Sequence, residues 1–396
     1  MLPRYDIIIA GGGAAGLSLA CHLVGSSTRD RSILIIDHDT KDQNDRTWCF
    51  WTDRPTPFES IVYRTWDRLQ IVGEDSTITA NLGAFRYQML RGIDFYDFAR
   101  RTLLAHPDVH FLHGHIDRIE DGRDEANVWV DGRAIAGTWA FDSTFEWPEL
   151  HAHAGSRHVL TQQFESWEIE TVGDAFDPQT PTLFDFRTAQ GAGMRFVYLL
   201  PLTSRHALLT YVVCATETIP TEACAEALST YLVTTRGVGA YHITRTEQGA
   251  SPLTDYPFPQ RLGSHILAIG IKGGMIKPST GYAFTRIQAD SAAIVKSLDL
   301  HGTPFHALAG SWRYRYFDAV LLDLWQRHGE WSVPIFLSLF RQNSAESIFR
   351  FLDEAATVPE NLRMMRSLPP RLLLYGACHL DEFARAWQGA FHEHAS

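Results

Sequence analysis

The sequence predicts an α/β fold of two unlike parts: a Rossmann-type nucleotide-binding domain and an antiparallel-sheet domain, followed by a helical C-terminal region. Three observations carry this. An apolar strand, Tyr5 to Ala10, runs into Gly11-Gly12-Gly13-Ala14-Ala15-Gly16 and a helix. Alternating strand patterns fill the stretch from about Val159 to Ala215. Beyond Leu298 the residues turn amphipathic at helical spacing.

The opening unit is the strongest signal. Gly11 permits a tight turn out of the strand, and Gly13 lets the backbone approach a diphosphate. Gly16 lets the helix Leu17 to Val24 pack on the strand while its N-terminus, at Ala14 and Ala15, faces the phosphates. Ser32 to Ile36 forms a second strand, and Asp37 at its end stands where a carboxylate accepts a ribose hydroxyl, with His38 beside it. Strand, glycines, helix and acid in this order predict a dinucleotide site.

A polar stretch, Asp39 to Arg46, then leads into the aromatic run Thr47-Trp48-Cys49-Phe50-Trp51. Phe95, Phe98, Ala99 and Leu103 predict a helix over Asp94 to Leu104, followed by a β-meander of Val109 to Leu112, Asn127 to Val130 and Trp139 to Ser143. This interleaving resembles the layout of large FAD-binding domains. Antiparallel strands are expected at 158–164, 167–171, 182–186, 195–200 and 207–213, then a helix at Thr221 to Thr234. The strand Ile266 to Ile269 enters a second Gly-rich turn, Gly270 to Gly281, and a helix, Tyr282 to Leu298. Helical patterns follow at Phe317 to Gln326, Ile335 to Arg341, Ala345 to Phe351, Glu360 to Arg366 and His379 to Trp387. They read as a cap with its apolar face on the protein, or as a membrane-surface element that is short of Lys and Arg. The expected domains are 1–155 with 255–300 for the nucleotide, 156–254 for the substrate, and 301–396 for the cap.

A chain of 396 residues with net charge −11 and no basic stripe is not built for nucleic acid. Its five cysteines form no C-x-x-C pair, so neither a zinc site nor a disulfide framework is expected, and a cytoplasmic location fits. His110-x-x-His113-x-His115 splits across two faces of a strand, and no metal is expected there. The first strand starts within about five residues, leaving no room for a signal peptide, and no run of about 18 apolar residues spans a membrane. Peripheral contact at the inner face stays open. The 12% aromatic content fits an aromatic core or a large apolar cavity.

The longer motifs resemble the bacterial lycopene β-cyclases. The similarity lies in Asn44-Asp45-Arg46-Thr47-Trp48-Cys49-Phe50-Trp51, Gln162-x-Phe164-x-x-Trp167-x-Ile169-Glu170-Thr171, Phe176-Asp177-Pro178 and Asp185-Phe186-Arg187. It continues in Arg195-Phe196-Val197-Tyr198 with Leu200-Pro201-Leu202, and in Gly270-x-x-Gly273-Gly274-x-x-Lys277-Pro278-Ser279-Thr280-Gly281-Tyr282-x-Phe284. Phe336-x-x-Leu339-Phe340-Arg341 and Phe349-Arg350-Phe351-Leu352-Asp353 extend it into the tail. The resemblance implies a fold like the glutathione reductase and p-hydroxybenzoate hydroxylase flavoproteins, with FAD used in reduced form and NAD(P)H as reductant. It implies proton-initiated, non-redox ring closure on the end group of a linear apolar polyene or isoprenoid. Arg46 and Thr47 would then meet the cofactor, as would Gly270, Gly273, Gly274, Pro278, Thr280, Gly281 and Tyr282. Lys272 and Lys277 would support a reduced flavin or stand as solvated loop residues, and Arg46 has a surface ion pair as its other reading.

One departure stands out. The family places a Glu in the strand after Leu-Pro-Leu, and here that strand reads Ala207-Leu208-Leu209-Thr210-Tyr211-Val212-Val213, with Thr210 or Tyr211 at the position. Neither supplies a carboxylate. Asp255, Asp185 and Glu247 are the acids considered in its place, with Asp255 favoured; Glu217 falls beyond the strand's end. Trp48, Phe50, Trp51, Trp167 and Tyr198 would stabilise a cation through their π faces or serve as core. Three readings stay open: a cyclase, a flavin-dependent oxidoreductase or monooxygenase, and a non-catalytic carotenoid-binding flavoprotein.

Overall fold

A computed structural model describes residues 4–27, 29–306 and 312–378. The first part holds β1 (Arg4–Ala10), α1 (Ala14–Val24), β2 (Ile33–Asp37), β3 (Thr47–Thr52), β4 (Arg64–Trp66), β5 (Arg68–Gly73), β6 (Ser76–Asn81) and β7 (Arg86–Arg91). It continues through α2 (Gly92–Leu104), β8 (Val109–His113), β9 (Ile116–Asp121), β10 (Ala126–Val130), β11 (Arg133–Asp142) and α3 (Trp147–His153). The middle holds β12 (Val159–Thr171), β13 (Thr182–Asp185), β14 (Met194–Pro201), β15 (His206–Ala215), α4 (Thr221–Thr230) and β16 (Tyr241–Thr254). β17 (Ile266–Ala268) and α5 (Phe284–His301) return to the first part, and α6 (Trp312–His328), α7 (Ser332–Gln342), α8 (Ala345–Leu352), α9 (Val358–Arg366) and α10 (Pro370–Cys378) follow.

The first sheet has the order β8-β2-β1-β11-β10-β9, with β17 parallel to the end of β11. Its centre is parallel and buried on both faces, which is why β1 and β2 read as near-continuous Ile and Leu. α1, α2 and α5 cover one face, and α1 meets α5 through a Ser18–Gln288 hydrogen bond of 2.8 Å. The second sheet runs β16-β12-β15-β14-β13-β5-β6. One of its faces packs under α4 and the other turns toward α6 to α10. β3, β7 and β4 form a small third sheet.

Several expectations change. Val109 to Leu112 pairs in parallel with β2 as a third Rossmann strand, and the meander is β9, β10 and β11. The segments 158–164 and 167–171 are one strand, because Glu165 and Ser166 alternate faces and pair on both sides. The aromatic run Thr47–Trp51 is β3, paired to β7. β5 and β6 come from the N-terminal part yet extend the second sheet through parallel pairing with β13. The helix expected at Tyr282 begins at Phe284, and the one at Thr221 passes into a π-helical turn at Tyr231. His379 to Trp387 lies outside the described residues.

Candidate active site

At the C-terminal ends of β1 and β2 the chain forms a cradle. Gly11 holds φ +104°, and a Cβ there would collide with Ser143 Oγ. A side chain at Gly16 would strike the Gly11 carbonyl, so glycine alone lets α1 start this close to β1. Gly13 precedes α1, nothing lies within 4 Å of where its Cβ would stand, and no side chain caps the helix. The first turn, from Ala14 through Ala15 and Gly16, thus presents open N–H groups at the positive end of the helix dipole. The Asp37 carboxylate accepts from the N–H groups of Gly12 at 2.6 Å and Asp39 at 2.8 Å, which fixes it at the rim beside the exposed His38. A hollow of about 260 Å³ opens there along Gly12, Asp37, Lys41, Tyr96, Arg100 and Phe111.

The second Gly-rich loop abuts the first. A Cβ at Gly270 would sit 2.8 Å from that of Ala15, and the Gly273 N–H donates to Ile269 O at 3.2 Å as the chain turns back through Gly274. Past Pro278 the loop closes on Lys277, whose carbonyl accepts from Thr280 at 3.2 Å and Gly281 at 2.8 Å and whose N–H donates to Tyr282 O at 3.0 Å. Gly281, at φ +76°, lies against the Gln162 side chain with no room for one of its own. α5 starts just beyond, also without a side-chain cap. Two uncapped helix starts, glycines that leave backbone bare, and a carboxylate at the rim suit an anionic dinucleotide such as FAD. Neither lysine of this loop is a solvated side chain. Lys272 Nζ is 2.9 Å from Asp142, and buried Lys277 is 2.7 Å from Asp318 and 2.8 Å from Glu354.

Between the second sheet, β3, this loop and α6 to α10 lies a cavity of about 640 Å³. Its wall is largely apolar, with Trp48, Trp51, Phe164, Phe184 and Phe196 among the lining residues. Trp51 stacks on Phe349 at 4.7 Å and meets Tyr282 at 4.5 Å, contacts worth about 0.5–1.5 kcal/mol each beyond burial. The sheet contributes one polar row: Tyr198 on β14 pairs with Thr210 on β15, Thr210 with Ser166 on β12, and Ser166 with Glu247 on β16. Ser166 Oγ and Thr210 Oγ1 are 2.8 Å apart. Glu247 accepts from the Thr47 N–H at 3.2 Å, Thr47 Oγ1 at 2.9 Å and Arg245 Nη1 at 3.1 Å. Arg46, at the same end, donates to the carbonyls of Asp45 at 2.8 Å and Gln248 at 3.3 Å. The Tyr87 hydroxyl shares hydrogen bonds with Tyr198 and Tyr282, the latter at 2.8 Å. Burial drives the pKa of Tyr87 and Tyr198 far above the usual phenol value and that of the adjacent Cys49 thiol up to about 12.

Of the acids and hydroxyls expected at the site, the structure brings Thr210 and Glu247 to the cavity and turns the others away. Successive side chains of a strand point to opposite faces, so Tyr211 falls in the core beneath α4, 2% exposed. Asp185 is fully buried on that same side, held by both ends of the Arg187 fork at 2.9 and 2.6 Å and by the Tyr231 hydroxyl at 2.7 Å. Asp255 is no cavity acid either: it accepts from the His158 N–H at 2.8 Å and pairs with His158 Nδ1 at 3.0 Å. His158 Nε2 reaches Asp323 at 3.3 Å, so this chain ties the sheet edge to α6. Glu217 is exposed past the end of β15, Trp167 faces α4, and Phe50 is core against Phe284. Among the described residues no group of three or more His, Cys, Asp or Glu stands as a metal site, and no helix is long and apolar enough to cross a membrane.

Sequence reading assigned no role to Cys49 and Ser166 on the cavity wall, to Tyr87 behind it, or to Tyr96, Arg100 and Phe111 at the smaller hollow. Cys49 lay within the aromatic run and Tyr96 and Arg100 within the predicted helix, but only the β3–β7 pairing brings Tyr87 and Cys49 together.

A family model described as lycopene cyclase protein matches residues 6–374. A lycopene beta-cyclase of Pantoea ananas is 24% identical over 93% of this chain and 96% of that protein. Another, of Pseudescherichia vulneris, is 22% identical over 90% and 88%. Among solved structures, a geranylgeranyl bacteriochlorophyll reductase-like protein of Thermoplasma acidophilum superposes with TM-score 0.61 at 12% identity, covering 97% of this chain and all of that one. A flavoprotein/dehydrogenase of Cytophaga hutchinsonii gives 0.59 at 12% identity, over 96% and 100%. A flavin-dependent halogenase of Xanthomonas campestris gives 0.55 at 13% identity, over 92% and 82%. These structures share the fold, and the family match over nearly the whole sequence leads to one conclusion: the chain belongs to the lycopene cyclase family.

Proposed function

We propose that this protein is an FAD-dependent cyclase of the lycopene β-cyclase type, closing a ring on the end group of a linear apolar polyene or isoprenoid without net redox change. The observation that carries the reading is the apolar 640 Å³ cavity, whose wall includes Ile271, Tyr282, Ala283 and Phe284 at the second Gly-rich loop. Gly11 to Gly16 would hold the diphosphate, Asp37 a ribose hydroxyl, and the hollow at Tyr96 and Arg100 the adenosine. Gly270 to Gly281 would meet the flavin, with NAD(P)H as the source of electrons. Reduced FAD, when bound, supplies an electron-rich group beside a developing cation. The chain's own part is to exclude water, to face the cation with Trp51 and Tyr282, and to offer Glu247 as the negative charge and proton acceptor of the last step. With Thr210 at the family's Glu position, the first proton transfer falls to a different group.

The substrate partitions into lipid, so we place delivery at the inner membrane face, past Leu372 and Leu373 of the cavity lining and the exposed Leu374 of α10. The test is anaerobic incubation of the purified holoprotein with lycopene and reduced flavin, followed by chromatography and mass spectrometry. A ring-bearing product of unchanged mass supports the cyclase; no ring formation sinks the lycopene assignment. Threonine at position 210 favours a flavin oxidoreductase as second reading, which a product gaining oxygen or losing two hydrogens would reveal.

A further inference from the structure

We infer that the polyene taken by this cavity carries an oxygen function, a hydroxyl or a carbonyl, on the end group that enters, and that the Ser166–Thr210 hydroxyl pair binds that oxygen. The inference rests on the cavity being a polyene site, as proposed above. Ser166 and Thr210 are 3% and 8% exposed, and both line the cavity. They own two hydroxyl hydrogens and share one hydrogen bond of 2.8 Å. Whichever donates, the other's hydrogen has no acceptor among the described residues. Against a hydrocarbon end group that hydrogen would meet no acceptor, a state buried polar groups avoid. Its complement is an oxygen lone pair.

The surrounding charges point the same way. The two carboxylates on the cavity wall accept hydrogen bonds from other groups, Glu247 from Thr47 and Arg245 and Asp318 from Lys277, and neither takes up the spare hydrogen of the hydroxyl pair. Tyr198, next in the row, is hydrogen-bonded to Tyr87. A neutral hydroxyl donor holds an alcohol or carbonyl oxygen by a hydrogen bond without transferring a proton to it. A neutral donor pair in place of a carboxylate is what such a substrate requires.

The test titrates the FAD-loaded protein with two detergent-solubilised acyclic polyenes of equal length: lycopene, and its derivative bearing a hydroxyl on one end group. Binding is read from the polyene absorption shift and from quenching of flavin fluorescence. The hydroxylated polyene is expected to bind about tenfold tighter, the usual net worth of one added hydrogen bond. The ratio should fall to about one in the Ser166→Ala/Thr210→Val double variant and persist in Thr210→Ser, which keeps the hydroxyl. Equal affinities in the wild type, or a preference that the double variant leaves intact, overturn the oxygen site and leave the cyclase reading standing. Failure of both polyenes to bind overturns the polyene reading and this inference with it. Where the double variant does not retain flavin, the wild-type ratio alone decides.

Discussion

Lys277→Met should destabilise the protein by about 3–5 kcal/mol, the usual cost of breaking a buried ion pair by removing one partner. Lys277 is 4% exposed and joins the second Gly-rich loop to Asp318 on α6 and Glu354 beyond α8. The two acids suffer unequally. Glu354 keeps Arg286 at 3.2 Å, whereas Asp318, 6% exposed, loses the one cation paired with it among the described residues, and burial already pushes its pKa upward. At about 2.1 cal/mol/K of unfolding entropy per residue, 396 residues turn 3–5 kcal/mol into a Tm drop of about 4–6 °C. Adding Asp318→Asn to Lys277→Met should recover most of the loss, since it removes the stranded charge. The assay is urea unfolding with a parallel reading of flavin fluorescence. A loss under about 1 kcal/mol in Lys277→Met, or no recovery in the double variant, would refute the claim that this cluster fastens the loop to the helical region.

Gly11→Val should abolish flavin retention, because φ +104° and the nearby Ser143 leave no place for a branched side chain; the ratio of flavin to protein absorbance in the purified variant checks it. Thr210→Glu puts a carboxylate on the cavity face and should raise ring formation from lycopene about tenfold or more, by chromatography. Tyr211→Glu buries the same charge beneath α4 and should instead lower expression and Tm. His158 bears on pH: burial alone would lower its pKa, but hydrogen bonds to Asp255 and Asp323 outweigh that and carry it up to about 9. A raised histidine contributes stability in full below about pH 6.5 and loses it as pH climbs through about 9, up to about 3 kcal/mol. Urea midpoints at pH 6.5 and 9.5 should therefore differ more in the wild type than in His158→Gln.

The nucleotide cradle was legible because its chemistry is local: glycines, helix and acid lie within one βαβ unit and each answers to a backbone constraint. The cavity was not, since its polar row joins residues 166, 198, 210 and 247 through strand register that no single segment encodes. β16 escaped notice because its first half, Tyr241 to Gln248, alternates among Thr, His, Arg and Glu rather than apolar residues. Asp255 looked suitable from its place before the flavin strand, yet its side chain is taken by His158 from across the β12–β16 pair. Thr210 and Tyr211 could be told apart only once the pairing of β15 fixed which face looks inward.

The second sheet, which floors the cavity, is stitched from three stretches of chain, 68–81, 159–215 and 241–254. It is not a detachable module. Exchanging residues 156–254 for the matching piece of a relative would leave β5 and β6 behind, paired with a stranger, so recombination offers this lineage little freedom. Diversification has to proceed one side chain at a time on the inward face, where a residue can change its chemistry while the ladder around it keeps its hydrogen bonds. Position 210 is such a place: its side chain lines the chamber while its backbone stays in the ladder, so a substitution there asks no strand to move.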